Sequence, residues 1–179
     1  MSDVVTILAE ELTAGLSRAA FTYDEVGATA DMAPPPGYGH LSRSRSLLGR
    51  TLAEAAEELM TWQVHERAGL RVAASSPRVA PGVVVLMRLG IGAAALRIPC
   101  RVVYEVNEAS RIGFAYGTLP GHPEQGEELF LLEQDQQHVE FRISAFSNPA
   151  TKLARAGAPV SRWVQARMAE RYLAALDRS

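Results

Sequence analysis

Two hydrophobic patterns divide the chain, and they predict different elements. Between residues 70 and 146, short apolar runs alternate with clusters of glycine, asparagine, serine and proline, as in strands joined by tight turns. Consecutive strands with short links pair antiparallel, so this region is predicted to form a meander. The six predicted strands cover residues 70–75, 82–89, 95–106, 112–118, 127–133 and 139–146.

The residues before the meander predict a first helix, a strand and a loop. Asp3 can cap a helix that carries a leucine at every fourth position. Residues 21–27, FTYDEVG, are predicted as a short strand. Residues 33–39 are rich in proline and glycine, and residues 40–50 are polar and basic, so both stretches are predicted as loop.

Two amphipathic helices flank the meander. Thr51 and Glu54 form a capping-box pattern at the start of one helix, which should end near Gly69. Pro159 opens the other helix, at the end of the chain. The apolar face of this last helix carries Val160, Val164, Met168, Tyr172 and Leu176.

The order of elements predicts an α+β fold. A curved antiparallel sheet of about seven strands has one apolar face that needs a cover, and the long C-terminal helix is the candidate. Residues 1–20 are interpreted as an N-terminal helix appended to one domain, which spans residues 21–179.

Several stretches carry a resemblance to a known family. They are YDEVGAT, PPGYG, PCRVVYEV, GFAYGTLPGHPEQGEELF, FRISAFSNPA and PVSRWVQARMAERYL. Through them the chain resembles a family of bacterial and plant proteins known only as a domain of unknown function. The resemblance runs from about residue 21 to about residue 173.

The element order is in turn similar to the START, or birch-pollen-allergen-like, helix-grip superfamily. That resemblance implies an antiparallel sheet wrapped around the C-terminal helix, often with an apolar cavity between them. It also implies binding of a lipid, a polyketide, a hormone-like compound or another apolar molecule, although a fold alone does not establish a function.

Alternation along the last two predicted strands separates an apolar face from a polar one. A two-residue turn at residues 135–136 would place Phe130 opposite Phe141 on the apolar face. Glu128 lies on that same face, opposite Ile143. Because a buried carboxylate must be paired, hydrogen-bonded or protonated, Glu128 is the residue on this face that most needs an explanation.

The preceding strand supplies a partner for Glu128. Folding it back through the LPGHPEQ loop places Phe114 opposite Phe130 and Tyr116 beside Glu128. Two interpretations of this pair stay open: a polar anchor or acid/base group in an apolar pocket, and a hydrogen-bonded structural pair. The strand's other face is nearly bare, which allows strong curvature or close approach of another element. That face carries Gly113, Ala115 and Gly117.

Arg101 is a second candidate partner for Glu128, and its orientation depends on the NEAS turn. One register brings Arg101 inward beside Tyr116. The other register leaves Arg101 in solvent and gives the more apolar core, so it is favoured. In that register the inward residues are Val102, Tyr104 and Val106.

Composition narrows the classes of function. A chain of 179 residues favours a single domain, and its net charge of −2 and scattered arginines give no reason to expect a nucleic-acid partner. No apolar run approaches the ~20 residues of a membrane span, and no export signal is expected. Cys100 is the single cysteine, which excludes an internal disulfide and fits the cytoplasm. The single lysine, Lys152, suggests a GC-rich bacterial genome.

No motif indicates a metal, a cofactor or a nucleophile. His122 and Glu124 lie in a Pro-Gly loop that is expected to be a solvated turn, whereas zinc usually takes three or four convergent ligands. Cys100 is expected to be buried and inert. There is no GxSxG elbow and no phosphate-binding glycine loop.

The sequence thus predicts binding of a small apolar molecule between the sheet and the C-terminal helix. Two alternatives stay open: an enzyme that acts on such a molecule with Glu128 as acid/base, and an interaction module without a cavity. The oligomeric state is left undetermined. The predicted ligand-binding residues are Tyr116, Glu128, Arg101, Phe114, Phe130, Phe141 and Trp163.

Overall fold

A single sheet joins most of the chain in the computed structural model. The structure describes residues 5–31, 34–92, 95–136, 138–150 and 158–177, and in the last of these stretches it describes side chains from Val164 onward. The described strands are β1 (Thr6–Ile7), β2 (Gly39–Leu47), β3 (Arg71–Ala74), β4 (Val84–Leu89), β5 (Leu96–Asn107), β6 (Arg111–Thr118), β7 (Glu124–Gln134) and β8 (Val139–Pro149). They lie in the order β1-β3-β4-β5-β6-β7-β8-β2. Neighbouring strands are antiparallel, except that β1 and β3 are parallel.

Helices cover both faces of this sheet. Helix α1 (Glu10–Arg18) lies on what we call the outer face, where Leu16 packs against a cluster that includes the β4 residues Val84 and Leu86. The inner face is covered by α2 (Leu52–Met60), α3 (Gln63–Arg67) and α4 (Ala158–Leu176), and the main hydrophobic core lies between them and the sheet. The predicted α+β class, with the C-terminal helix against an antiparallel sheet, is confirmed.

The segment from α2 to α3 bends at one residue. The predicted capping box is confirmed: the Thr51 hydroxyl and the Glu54 carboxylate each accept from the other's backbone N–H. Trp62 follows α2 in the left-handed conformation, with φ 66°, and its indole N–H donates to the Ser76 carbonyl at 3.3 Å. The predicted second helix is therefore two short helices, and both lie against the inner face.

The six predicted strands of the meander are confirmed, but the N-terminal predictions were wrong in three places. Residues 21–27 form turns rather than a strand, and α1 begins at Glu10, after β1. Asp3 and residues 32–33 lie outside the described part of the chain. Residues 39–47, predicted as loop, form β2, which pairs with β8 at the edge of the sheet. An edge strand tolerates polar side chains, so the sequence HLSRSRS lacks the apolar alternation that would predict a strand.

A bulge in β5 changes the orientation of its second half. Val102 pairs with Tyr116 on β6, and the register then shifts so that Tyr104 pairs with Ala115. Val102 therefore faces inward as predicted, whereas Tyr104 and Val106 pack on the outer face, contrary to the prediction. A bulge inserts one extra residue and so reverses the alternation beyond it.

Candidate functional site

Tyr116 and Glu128 meet on the inner face of the sheet. The predicted register of β6 and β7 is confirmed, with Tyr116 opposite Glu128 and Phe114 opposite Phe130. The Tyr116 hydroxyl donates to Glu128 Oε2 at 2.9 Å. The carboxylate is thus held by one phenol on the neighbouring strand.

The predicted register of β7 and β8 was wrong by two residues. Phe130 faces Ile143 rather than Phe141, and Glu128 faces Ala145. The cause is the turn, where the Asp135 N–H donates to the His138 carbonyl, so the loop is centred one residue later than predicted. The assignment of residues to faces survives because a shift of two preserves the alternation.

Glu128 opens onto a cavity of about 520 Å³ between the sheet and α4. Its apolar walls come from half-buried or exposed side chains, the sheet supplying one side and α4 the other. These apolar lining residues include Leu41, Leu89, Leu96, Ile98, Val164 and Met168. Tyr116 and Tyr172 border the cavity next to Glu128. Ala145, the cross-strand neighbour of Glu128, also lines it.

Burial sets the protonation of this site. It raises the pKa of Glu128 to about 7, although the Tyr116 hydrogen bond acts in the opposite direction. Burial and the nearby Glu128 carboxylate raise the pKa values of Tyr116 and Tyr172 well above the ordinary value, and the same two causes act on the Cys100 thiol. Near neutral pH the phenols and the thiol are therefore neutral, and Glu128 is present in both its protonated and its ionised form.

The His-Pro-Glu tip of the β6–β7 connection is not the solvated turn that the sequence predicts. Both His122 and Glu124 line the cavity, and Glu124 is 9% exposed. His122 Nδ1 accepts the Glu124 backbone N–H at 2.9 Å, and burial lowers the pKa of His122 to about 4. His122 is therefore a neutral wall residue.

The predicted phenylalanines lie beside the cavity region but do not line it. Phe114, Phe130 and Phe141 are fully buried, and the first two pack around His65 of α3. Helices α2 and α3 fill this half of the inner face, which the sequence reading assigned to α4 alone. The side chain of Trp163 lies outside the described residues.

Arg101 lies on the outer face, away from Glu128. It pairs with Gly117 in the ladder, and its Nη1 donates to the carbonyls of Ser17 and Ala19 at 2.8 Å each. Its guanidinium also lies 4.2 Å from the centre of the Phe21 ring. Arg101 thus binds the chain segment that follows α1. Its side chain points outward because the next residue, Val102, takes the inward position.

Glu127 is a buried carboxylate that the sequence reading missed. It is 2% exposed on the outer face and accepts from the Tyr23 hydroxyl at 2.7 Å and the Gly27 N–H at 2.7 Å. The Thr29 N–H, at 3.1 Å, and the Thr29 hydroxyl complete its shell. The motifs YDEVGAT and QGEELF therefore meet at the Glu127 side chain. The sequence shows each motif separately but not that they are in contact.

His65 is the second buried polar group that the sequence reading missed. It is fully buried, neither ring nitrogen has a hydrogen-bond partner, and burial lowers its pKa to about 3. Its ring lies 4.9 Å from that of Phe130, 5.1 Å from Tyr172 and 5.8 Å from Tyr116, measured between centroids. It therefore sits directly behind the tyrosines of the cavity wall.

Two negative findings apply to the described part of the chain. No three side chains among its histidines, cysteines, aspartates and glutamates are placed to hold a metal ion. None of its helices combines the length and the apolar character that crossing a membrane requires.

Fold and site together define a helix-grip protein with a carboxylate–tyrosine pair at a cavity between the sheet and α4. The chain belongs to the family described as a domain of unknown function, DUF1990, whose model matches residues 22–175. The predicted resemblance to a family of unknown function is confirmed at that level.

Two relatives share part of the sequence. A UPF0548 protein from Deinococcus radiodurans is 45% identical over 80 residues, which is 44% of this chain and 40% of that protein. A UPF0548 protein from Dictyostelium discoideum is 36% identical over 63 residues, 31% of this chain and 29% of that protein. The matched part thus spans less than half of either relative.

Solved structures support the fold. A hypothetical protein from Helicobacter pylori, jhp0584, superposes with a TM-score of 0.62 at 11% identity, covering 88% of this chain and 94% of its own. An uncharacterised Rhizobium leguminosarum protein gives 0.53 at 12% identity, covering 79% and 96%. Ara h 8.0201, of the birch-pollen-allergen-like fold, gives 0.51 at 8% identity, covering 78% and 98%. At these identities the likeness concerns the fold alone.

Proposed function

We propose that this protein binds a small apolar molecule in the cavity between the sheet and α4, with Tyr116 and Glu128 as its polar anchor. The observation that carries the proposal is the position of this pair, whose oxygens lie 2.9 Å apart in the wall of a cavity of about 520 Å³. Small-molecule pockets commonly have ~300–1,000 Å³, mostly apolar walls and a few placed polar groups.

The contrast between two adjacent carboxylates supports a binding role for Glu128. Glu127 receives hydrogen bonds from Tyr23, Gly27 and Thr29, as a structural buried carboxylate does. Glu128 receives the Tyr116 hydroxyl, and its side chain lies on the inner face, where the apolar walls of the cavity are. A desolvated carboxylate lowers stability unless something compensates it, and a ligand group is the compensation that we propose.

Copurification tests this proposal. Protein isolated from its own host should show an added mass in native mass spectrometry, because an apolar cavity of this size retains its ligand. Glu128→Ala and Tyr116→Phe should each reduce the occupied fraction, whereas Glu57→Gln, at an exposed carboxylate on α2, should not. Equal occupancy in the wild type and in both cavity variants would remove these residues from the site.

A cavity-filling variant provides an independent test. Ala145→Leu places a larger side chain opposite Glu128 and should abolish the added mass while the protein stays folded. Ala53→Leu, on the exposed side of α2, is the matched control and should keep the ligand. Retention of the ligand by Ala145→Leu would contradict the assigned location.

Acid–base catalysis in the same cavity is a second candidate function. The observation that favours it is the raised pKa of Glu128, about 7, because a general acid or base works best near the ambient pH. Any turnover by the purified protein should then follow one group that titrates near pH 7, and Glu128→Gln should remove that limb. A flat pH profile in an active preparation would contradict this candidate.

A further inference from the structure

We propose that the cavity selects an apolar molecule that carries a basic amine, with the ammonium group held by the Glu128 carboxylate. This inference rests on the proposed function and names the ligand class for the same site. It follows from the charges around the cavity, the half-buried position of Glu128 and the aromatic groups beside it.

The charge of the wall disfavours an anionic ligand. Among the described residues that line the cavity there is no arginine or lysine, whereas Glu124, Glu127 and Glu128 all belong to it. His122, the histidine of the lining, is neutral because burial lowers its pKa to about 4. A fatty-acid carboxylate would therefore meet a negative wall without a cation from these residues.

Arg101, the cation that the sequence offered for this site, is committed elsewhere. Its guanidinium holds the carbonyls of Ser17 and Ala19 and lies over Phe21 on the outer face. The ladder fixes this orientation, because Arg101 pairs with Gly117 while its neighbour Val102 pairs with Tyr116. Reaching the cavity would require the β5 strand to turn over.

The Glu128 carboxylate is already partly desolvated before any ligand arrives. Burying an ion pair normally costs the desolvation of both ions, which cancels much of the Coulombic attraction. Here folding has already taken the half-buried Glu128 partly out of water, in keeping with its pKa of about 7, so an arriving ammonium adds mainly its own desolvation. The cation also restores the ionised form of Glu128, because an opposite charge within a few ångströms lowers a carboxyl pKa.

The groups around Glu128 suit an ammonium. Tyr116 donates to one carboxylate oxygen and so holds the acid in place, and Tyr172 on α4 adds an aromatic ring at the same wall. Aromatic faces attract cations electrostatically. The half-buried apolar walls of β4, β5 and α4 then accommodate the hydrocarbon part.

Three probes with one chain length test the inference: decylamine, decanol and decanoate, titrated calorimetrically at pH 8. We expect decylamine to bind at least about tenfold more tightly than either other probe. In Glu128→Gln this preference should disappear, whereas Glu57→Gln should retain it. Equal or tighter binding of decanol or decanoate, or an amine preference that survives in Glu128→Gln, would overturn the inference and leave the proposed function standing.

The failure of the proposed function looks different in the same experiment. If none of the three probes binds saturably to the wild type, the apolar cavity site itself is contradicted, and the inference falls with it. Ala145→Leu should abolish binding of every probe that binds the wild type. Unchanged binding in this variant would place the probes outside the cavity and would overturn both statements.

The pH dependence separates charge recognition from hydrophobic binding. Between pH 6 and pH 8 Glu128 passes from mostly protonated to mostly ionised, while decylamine keeps its proton, so its affinity should rise about tenfold. The titratable groups that face Glu128 are Tyr116 on β6, Tyr172 on α4 and Cys100 on β5, and all three stay neutral over this range because burial raises each pKa. On its own strand, Glu124 and Glu127 line the same cavity, the Glu127 carboxylate with its donors on the outer face, and His122 stays neutral in the connection before them. A flat or falling decylamine affinity would contradict the inference.

Discussion

Neighbouring carboxylates at positions 127 and 128 point to opposite faces of β7 and have different hydrogen-bond donors. Glu127 receives donors from Tyr23, Gly27 and Thr29, and its position on the outer face is fixed by them. Glu128 has the Tyr116 hydroxyl and a cavity. Alternation along one strand therefore separates a residue that stabilises the fold from one that we assign to binding.

The Glu127 shell predicts a stability cost for Tyr23→Phe. The variant removes one donor from a buried carboxylate without changing the ring, so we expect a loss of about 1–3 kcal/mol in the free energy of unfolding. Tyr38→Phe is the matched control, because its hydroxyl donates to Glu25, which is only half-buried. Urea unfolding measures both, and a Tyr23→Phe effect no larger than that of Tyr38→Phe would contradict the assignment.

His65 predicts an acid-sensitive stability. The folded pKa of about 3 lies below the ordinary value of 6.5, so the unfolded chain binds a proton that the native state does not. Above pH 6.5 the protonation of His65 therefore does not lower the free energy of unfolding. As the pH falls from 6.5 toward 3, that free energy decreases by about 1.4 kcal/mol per pH unit.

His65→Leu should therefore flatten the decline in stability between pH 6.5 and pH 3. At neutral pH the variant should be neutral or slightly stabilising, because it removes a buried group without a hydrogen-bond partner. His40→Leu, at an exposed position on β2, is the control and should keep the wild-type slope. Chemical unfolding at several pH values measures the slope, and identical slopes in wild type and His65→Leu would disprove the account.

At the scale of elements, prediction from sequence succeeded where the pattern is local. The alternation in β6 and β7 gave the Tyr116–Glu128 pairing, and Thr51 with Glu54 gave the start of α2. It failed where the pairing partner is distant in sequence. Strand β2 gains its strand character from β8, about a hundred residues away, and its own sequence is nearly all polar.

The bare outer face of β6 has a structural use. A Cβ atom added at Gly117 would collide with the Tyr23 hydroxyl and would lie 2.9 Å from ring atoms of Phe21. The sequence predicted that this face allows close approach of another element, and the approach of residues 21–23 confirms it. The glycine at position 117 of β6 therefore leaves space for residues 21–23, the segment whose Tyr23 binds Glu127.

Gly117→Ala should destabilise the protein by about 1–3 kcal/mol through overpacking. The displaced Tyr23 would also lose its hydrogen bond to Glu127. Gly15→Ala in α1 is the control, because its Cβ would meet nothing within 4 Å and alanine favours a helix. Thermal unfolding should show a lower midpoint for Gly117→Ala and an unchanged or higher one for Gly15→Ala; the reverse order would contradict the packing.

On the scale of the whole molecule, the inner face of the sheet is divided between two covers. Helices α2 and α3 fill one part with Leu59, Trp62 and His65 against the phenylalanines of the sheet. Helix α4 covers another part, and the cavity lies under its Val164 and Met168. The sequence predicted both amphipathic helices but not their division of the sheet, because that depends on the bend at Trp62.

The same division explains which candidate site residues the sequence placed correctly. Tyr116 and Glu128 could be paired by counting along two adjacent strands. The surroundings of the phenylalanines depend on where α3 lies, and the orientation of Arg101 depends on where β5 bulges. Both features are set by tertiary contacts. His65 and Glu127 were missed because their surroundings come from segments far apart in the chain.

The most direct test of the central claim is a nuclear magnetic resonance titration of the isotopically labelled protein with decanol, a neutral probe. We expect saturable shifts of backbone amides around the cavity, on β5, β6, β7 and the second half of α4, and their loss in Ala145→Leu. Shifts confined to the groove between α3 and α4 near Gly69 and Arg171, or no saturable shifts at all, would contradict the claim that Glu128 faces a binding cavity.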